Sequence, residues 1–168
     1  MRIQNMVLTS LLLAMGFVLH SIVPGVFGMK FDLMLTFMFI AIIIQPTLKN
    51  MFLTGALTGI LTAMTTTFPG GQLPNLFEKI ITAFVVYVLI LLMQKVKNNS
   101  LKATVIGFVG TFLSGIVFLT LALMMVGLPA PLTVLVASIV IPTAFTNAFL
   151  TLIVYRATRL AQKTKVSV

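Results

Sequence analysis

Few residues in this sequence could take part in acid–base, nucleophilic or metal chemistry. The chain has two acidic residues, Asp32 and Glu78, a single histidine, His20, and no cysteine. One histidine and two acids argue against a metal centre built from several such ligands, and the lack of cysteine excludes disulfides and thiol redox pairs. No convincing Ser/His/Asp or paired-carboxylate arrangement is present, so we expect neither an enzyme nor a bound cofactor.

The pair Glu78-Lys79 follows a turn rich in proline and glycine, residues 68–75 (FPGGQLPN). We expect a helix to begin after this turn, and a helix start presents free N–H groups that suit a carboxylate ligand. Lys79 would add a positive charge, and Glu78 could bind an ammonium group. Such a site fits a zwitterion such as an amino acid. The alternative is that these groups, with Lys30 and Asp32, pair with each other or face water.

Three amides and the histidine complete the polar candidates. Gln72 and Asn75 lie on the turn and could contact a ligand, although for Asn75 we favour capping of the next helix. Asn147 lies in an apolar stretch and must find a partner, either a ligand, which we slightly favour, or another helix. His20 fits a packing residue better than a proton carrier. The candidate ligand-binding residues are His20, Asp32, Gln72, Asn75, Glu78, Lys79 and Asn147.

Composition dictates the elements that must position these residues. The 168 residues are 60% hydrophobic and 8% charged, with a mean hydropathy of +1.19. These values exclude an ordinary soluble domain and a disordered chain. A membrane-spanning helix needs about 20 apolar residues. We predict an all-α integral membrane protein, a single membrane domain over residues 1–168 with six transmembrane helices at about 3–23, 33–45, 51–66, 76–93, 103–126 and 142–162.

The last apolar segment, residues 132–162, requires a separate interpretation. As one helix it would be over 40 Å long at about 1.5 Å per residue. Pro142 lies inside it, and proline disrupts a helix interior but is tolerated in a first turn. We therefore predict a short interfacial or re-entrant piece over 132–141 and a sixth helix that begins at Pro142. Asn147 would then lie about 8 Å from the start of that helix.

The distribution of positive charge predicts the orientation in the membrane. The net charge is +9, but the cations flank apolar runs rather than forming a patch, so we do not expect nucleic-acid binding. The termini and the breaks after predicted helices 2 and 4 hold nine Lys and Arg residues and no acid; the other breaks hold two cations and two acids. This bias places both the N and the C terminus in the cytoplasm.

Small and aromatic residues suggest further contacts. The motif Gly55-x-x-x-Gly59 allows close approach of two helices, and packing within the chain is the favoured use. The motif Ser10-x-x-x-Ala14 in the first helix could offer a face to another protein. The rings of Phe68, Phe77 and Phe118 could stack on an aromatic ligand.

Five stretches carry a resemblance to a known family. They are residues 19–24 (LHSIVP), the turn 68–75 leading to Lys79, residues 114–119 (SGIVFL), residues 126–129 (VGLP) and residues 142–147 (PTAFTN). In these stretches the chain resembles the substrate-binding S components of energy-coupling factor (ECF) importers, and within them the tryptophan-type members. The similarity covers nearly the whole chain in order.

The resemblance implies a function for the whole chain. It implies a six-helix bundle in a bacterial cell membrane that binds L-tryptophan on the extracellular side and delivers it inward with a T component and two ATPase subunits. Family members carry ligand-contacting residues about five positions after the proline of helix 6, which corresponds to Asn147. They dock on the T component through a helix 1 motif that here reads Ser10-x-x-x-Ala14. The absence of a GxxxxGK[ST] motif fits a chain that does not hydrolyse ATP itself.

Two other interpretations remain open from the residues alone. One is a stand-alone secondary carrier that uses His20, Asp32 or Glu78 as a proton relay, and the other is an intramembrane scaffold without a ligand. An S component that binds a vitamin instead of L-tryptophan is a variant of the favoured interpretation.

The predicted orientation can be tested by labelling. Because the chain has no cysteine, a single cysteine introduced at Asn98 would be a unique label. We expect a membrane-impermeant thiol reagent to leave it unmodified in intact cells and to modify it in inverted vesicles. Modification of residues 95–102 from outside intact cells would invert the orientation.

Overall fold

The computed structural model describes residues 3–22, 24–26 and 29–164, which are almost entirely helical. In chain order the elements are α1 (Ile3–Ile22), β1 (Gly25–Val26), β2 (Met29–Lys30), α2 (Met34–Ile44), α3 (Leu48–Thr65), α4 (Gln72–Leu92), α5 (Asn99–Met125), α6 (Leu132–Leu135) and α7 (Ile141–Thr164). A 3₁₀ turn, Met93–Lys95, follows α4, and a π-helical segment, Val136–Val140, joins α6 to α7. The two strands form a short antiparallel hairpin.

Four helices within the described residues are long and apolar enough to cross a membrane. They are Gln4–Ile22, Gln72–Lys95, Asn99–Met125 and Leu132–Gln162. Helix α2 is apolar but shorter, and α3 does not belong to this set. The expectation of a helical, multi-pass membrane protein is confirmed, except that the short β1–β2 hairpin was not expected. The count of six membrane spans stays a prediction.

Helix α2 lies at the centre of the bundle and contacts α1, α3, α4, α5 and α7. Nearly all of its residues are buried, as expected for a helix that is apolar on every face. It ends before Pro46, and the side-chain amide of Asn50 donates hydrogen bonds to the carbonyl oxygens of Ala41 and Gln45, each at 2.9 Å. These bonds satisfy carbonyl groups that have no partner inside the helix.

The glycines of α3 pack directly against α4. A Cβ atom at Gly59 would lie 2.8 Å from the carbonyl oxygen of Leu76, and one at Gly55 would lie 2.8 Å from the Cβ of Ala83. Only a residue without a side chain allows the two backbones to approach this closely. The predicted use of the Gly55-x-x-x-Gly59 motif in packing within the chain is confirmed.

The predicted break at Pro142 is wrong. Helix continues from Leu132 to Thr164, and the π-helical segment lies just before the proline. The Ile141 N–H group bonds to the carbonyl oxygen of Val136, five residues back, and this wider turn accommodates the proline ring without ending the helix. Asn147 therefore lies about 22 Å along the helix from Leu132, rather than close to a helix start.

The α3–α4 contact gives a stability prediction. We expect Gly59→Ala to lower the free energy of unfolding by about 1–3 kcal/mol, because the new methyl group collides with the backbone of Leu76. The measurement is thermal denaturation in detergent, and Leu57→Ala, an exposed position on the same helix, is the control. A Gly59→Ala protein as stable as the control would contradict the close packing.

Candidate functional site

A cavity of about 60 Å³ lies at one end of the bundle, where the β1–β2 hairpin and the turn after α3 meet α4, α5 and the π-helical segment. A cavity of this size has room for several water molecules. Its polar wall includes His20, Lys30, Asp32, Asn75 and Lys79, together with Thr111, Ser114 and Thr143. Its apolar wall includes Leu35, Phe68, Phe118, Ile139 and Val140. The cavity thus joins charged groups to aromatic rings.

Lys79 is the centre of a buried ionic cluster beside this cavity. Its ammonium nitrogen lies 2.6 Å from Oδ2 of Asp32 and also donates a hydrogen bond to Oε2 of Glu78. The other oxygen of Glu78 accepts hydrogen bonds from Thr82, at 2.8 Å, and from Ser114. Glu78 and Lys79 are almost completely buried, so these mutual contacts replace the water that the charges lose.

The charge of Asp32 depends on Lys79. Asp32 lies in the connection between β2 and α2, outside the membrane-spanning segments. Burial by itself would raise the pKa of its carboxyl group, but the Lys79 ammonium, together with His20 and a backbone hydrogen bond from Leu35, holds the pKa below its usual range. Asp32 is therefore ionised at neutral pH.

Two polar atoms of residues that line the cavity lie close together without a hydrogen bond between them. Nδ1 of His20 lies 3.6 Å from Oδ1 of Asp32. Neither atom has a hydrogen-bond partner among the residues that the structure describes. The backbone oxygen of His20 accepts a bond from the Lys30 ammonium at 3.4 Å.

Asn147 is fully buried and does not form part of the cavity wall. Its amide nitrogen donates to the backbone oxygen of Asp32 at 2.8 Å and to the hydroxyl of Thr111 at 3.1 Å. Its oxygen accepts a bond from Thr36 at 3.3 Å. Asn147 thus fixes the backbone that carries the Asp32 carboxylate.

The other predicted site residues are placed differently. Asn75 reaches the cavity, but it lies within the first turn of α4 and donates to the Gly71 oxygen at 2.8 Å. The favoured capping role of Asn75 is wrong, since α4 begins at Gln72 and its cap residue is Gly71. Gln72 is exposed and does not belong to the cavity wall, and Glu78 lies behind that wall.

The aromatic wall agrees with part of the sequence expectation. Phe68 and Phe118 meet edge to face, with ring centroids 5.5 Å apart, and both border the cavity. Phe77 is 47% exposed and does not border it.

The sequence reasoning did not select the polar residues of α5 as site residues. Thr111 and Ser114 both border the cavity, and Ser114 donates to Glu78. Together with Phe118 they have spacings of three and four, which place them on one face of a helix. This spacing was the signal that could have identified them.

Buried ionisable groups beside a cavity in an apolar helical bundle are typical of membrane proteins that bind and move a substrate or an ion. The comparison with known proteins agrees with this class, because residues 2–163 match the family described as tryptophan transporter TrpP. The chain belongs to this family, so it is a transport protein and not an enzyme.

Three bacterial relatives carry the description "probable tryptophan transport protein". The Bacillus subtilis protein is 42% identical over 156 residues, which is 92% of this chain and 90% of the relative. The Clostridium perfringens protein is 43% identical over 161 residues, covering 89% and 87% of the two chains. The Clostridium acetobutylicum protein is 38% identical over 160 residues, covering 95% and 94%. No solved structure gives a significant match.

The hydrogen bonds of Asn147 give a second stability prediction. We expect Asn147→Ala to lower the free energy of unfolding by about 1–3 kcal/mol, because the partly buried backbone oxygen of Asp32 and the buried hydroxyl of Thr111 lose a partner. Thermal denaturation measures the effect. The neighbouring Thr146→Ala is the control, since Thr146 is exposed and its hydroxyl bonds only within its own helix. Equal melting temperatures for the two variants would refute the role of Asn147.

Proposed function

We propose that this chain is the substrate-binding S component of an ECF importer for L-tryptophan. In this proposal the six-helix bundle lies in the bacterial membrane with both termini in the cytoplasm. The cavity opens outward, binds tryptophan, and releases it inward when a T component and two ATPase subunits act on the bundle. The observation that carries the proposal is the cavity itself, which combines the Asp32–Lys79 ion pair with the rings of Phe68 and Phe118.

The chemistry of the cavity supports an amphoteric aromatic ligand. The side chains of Phe68 and Phe118 offer apolar surface and ring edges for an indole. Lys79 uses two of the three donors of its ammonium group on Asp32 and Glu78, so one donor remains for a ligand carboxylate. Family membership supports tryptophan as the particular ligand.

Two features support dependence on partner subunits. The sequence has no phosphate-binding motif of the GxxxxGK[ST] type, so energy would come from separate ATPases. Ser10 and Ala14 are both exposed on α1, beside large apolar side chains such as Leu11 and Met15. This face of α1 is our proposed docking surface for the T component, because small residues permit close approach of another helix.

The buried His20–Asp32 pair favours one competing function, a proton-coupled carrier that works alone. Reconstitution into liposomes separates the two. If this chain by itself takes up tryptophan in response to a pH gradient, it is a stand-alone carrier. Uptake that requires added T and ATPase subunits supports the S component.

The ligand assignment predicts a measurable effect of Lys79. Isothermal titration of the purified protein with L-tryptophan should give binding at micromolar concentration, and Lys79→Ala should weaken it by about 1–3 kcal/mol through loss of a buried charged donor. Lys97→Ala removes an exposed cation and is the control. Lys79→Arg keeps the buried positive charge and is a second control, which distinguishes loss of the ligand contact from a folding defect. Heat with biotin or thiamin but not with tryptophan would reassign the substrate.

A further inference from the structure

Two atoms without a hydrogen-bond partner among the described residues belong to side chains of the cavity wall. Nδ1 of His20 and Oδ1 of Asp32 are buried, and their side chains are only 6% and 17% exposed. Their separation of 3.6 Å is too long for a direct hydrogen bond. Buried polar atoms nearly always have a partner. Because His20 and Asp32 both line the cavity, a donor group bound there would lie close to both atoms.

The chemistry of the two atoms defines that group. The Asp32 carboxylate is ionised and can only accept hydrogen bonds. Nδ1 of a neutral His20 also accepts when the ring proton is on Nε2. A group that donates to both atoms at once and carries a positive charge satisfies them together, and a primary ammonium does so with two of its three N–H donors.

Glu78 is the other carboxylate of the cluster, and its surroundings exclude it from this role. Its two oxygens already accept hydrogen bonds from Lys79, Thr82 and Ser114. It is fully buried and does not border the cavity. In contrast, Asp32 lines the cavity, and its Oδ1 accepts no hydrogen bond from the described part of the chain while its Oδ2 contacts Lys79.

We propose that His20 and Asp32 form an amine-recognition subsite that selects ligands with a protonated primary amino group. The proposal rests on the cavity being the ligand site of the proposed function. It gives the ligand a direction, with its amino group between α1 and the β2–α2 connection and its apolar part at the rings of Phe68 and Phe118. It also assigns the amine to Asp32 rather than to Glu78.

Three related ligands test the subsite on the purified full chain. L-tryptophan has both charged groups, tryptamine lacks the carboxylate, and indole-3-propionate lacks the amine. By titration calorimetry we expect the unmodified protein to bind indole-3-propionate about 10- to 100-fold more weakly than tryptophan, the range expected for a lost charge-assisted hydrogen bond. Asp32→Asn should weaken the binding of tryptophan and tryptamine by a similar factor and leave the binding of indole-3-propionate unchanged.

Substitutions of His20 supply a matched pair. His20→Asn retains an acceptor near the position of Nδ1 and should keep most of the preference for amines, whereas His20→Leu removes the acceptor and should reduce the preference. Thr146→Ala, an exposed position on α7, should behave as the unmodified protein does. The melting temperature of each variant shows whether a loss of binding is caused by unfolding of the protein.

The outcomes separate this proposal from the proposed function. The subsite is refuted if tryptophan and indole-3-propionate bind equally well. It is also refuted if Asp32→Asn weakens the binding of all three ligands by the same factor. Binding of tryptamine with no binding of tryptophan refutes the proposed function and retains the subsite. Absence of binding by both amines refutes the subsite.

Discussion

The contact of Lys79 with two carboxylates is the interaction on which the rest of this molecule depends. A charge without a partner inside an apolar bundle is energetically costly. The ammonium of Lys79 on α4 therefore holds in place both Asp32, in the connection before α2, and the carboxylate of Glu78, the neighbouring residue on α4. Through Ser114 the same cluster extends to α5. The cavity lies where these elements meet, and its shape therefore depends on charges that must stay together.

Two buried amides complete this arrangement at the ends of the central helix. Asn50 satisfies carbonyl groups at the C-terminal end of α2, and Asn147 bonds both to Thr36 in its first turn and to the Asp32 backbone just before it. An 11-residue helix is too short to cross the hydrocarbon core alone, and its backbone groups, which would bond to water on a protein surface, are enclosed by the other helices. The amides take the place of that water.

Properties that depend on local composition could be predicted from the sequence, and those that depend on distant contacts could not. Apolar runs located the membrane helices, and the Gly55-x-x-x-Gly59 motif located the close contact of α3 with α4. The sequence could not decide whether Asp32 pairs with Lys79, because a single sequence does not show which loop approaches which helix. The rule that proline ends a helix misplaced the break at Pro142, since a wider turn absorbs the ring. Asn75 was expected to cap the helix because asparagine is a favoured N-cap residue, but α4 begins earlier, at Gln72.

The π-helical segment has a geometric consequence for the cavity. A π turn contains one more residue than an α turn, so it shifts the helical phase by about 100° between the chain before it and the chain after it. Ile139 and Val140 belong to this segment and line the cavity, whereas Asn147 lies beyond it on α7. The extra residue thus sets the angular position of Ile139 and Val140 separately from that of Asn147 and of Thr143, the wall residue on α7. Insertion or deletion of one residue in this segment would rotate the helix before it relative to α7, and the contacts of α7 would keep their positions.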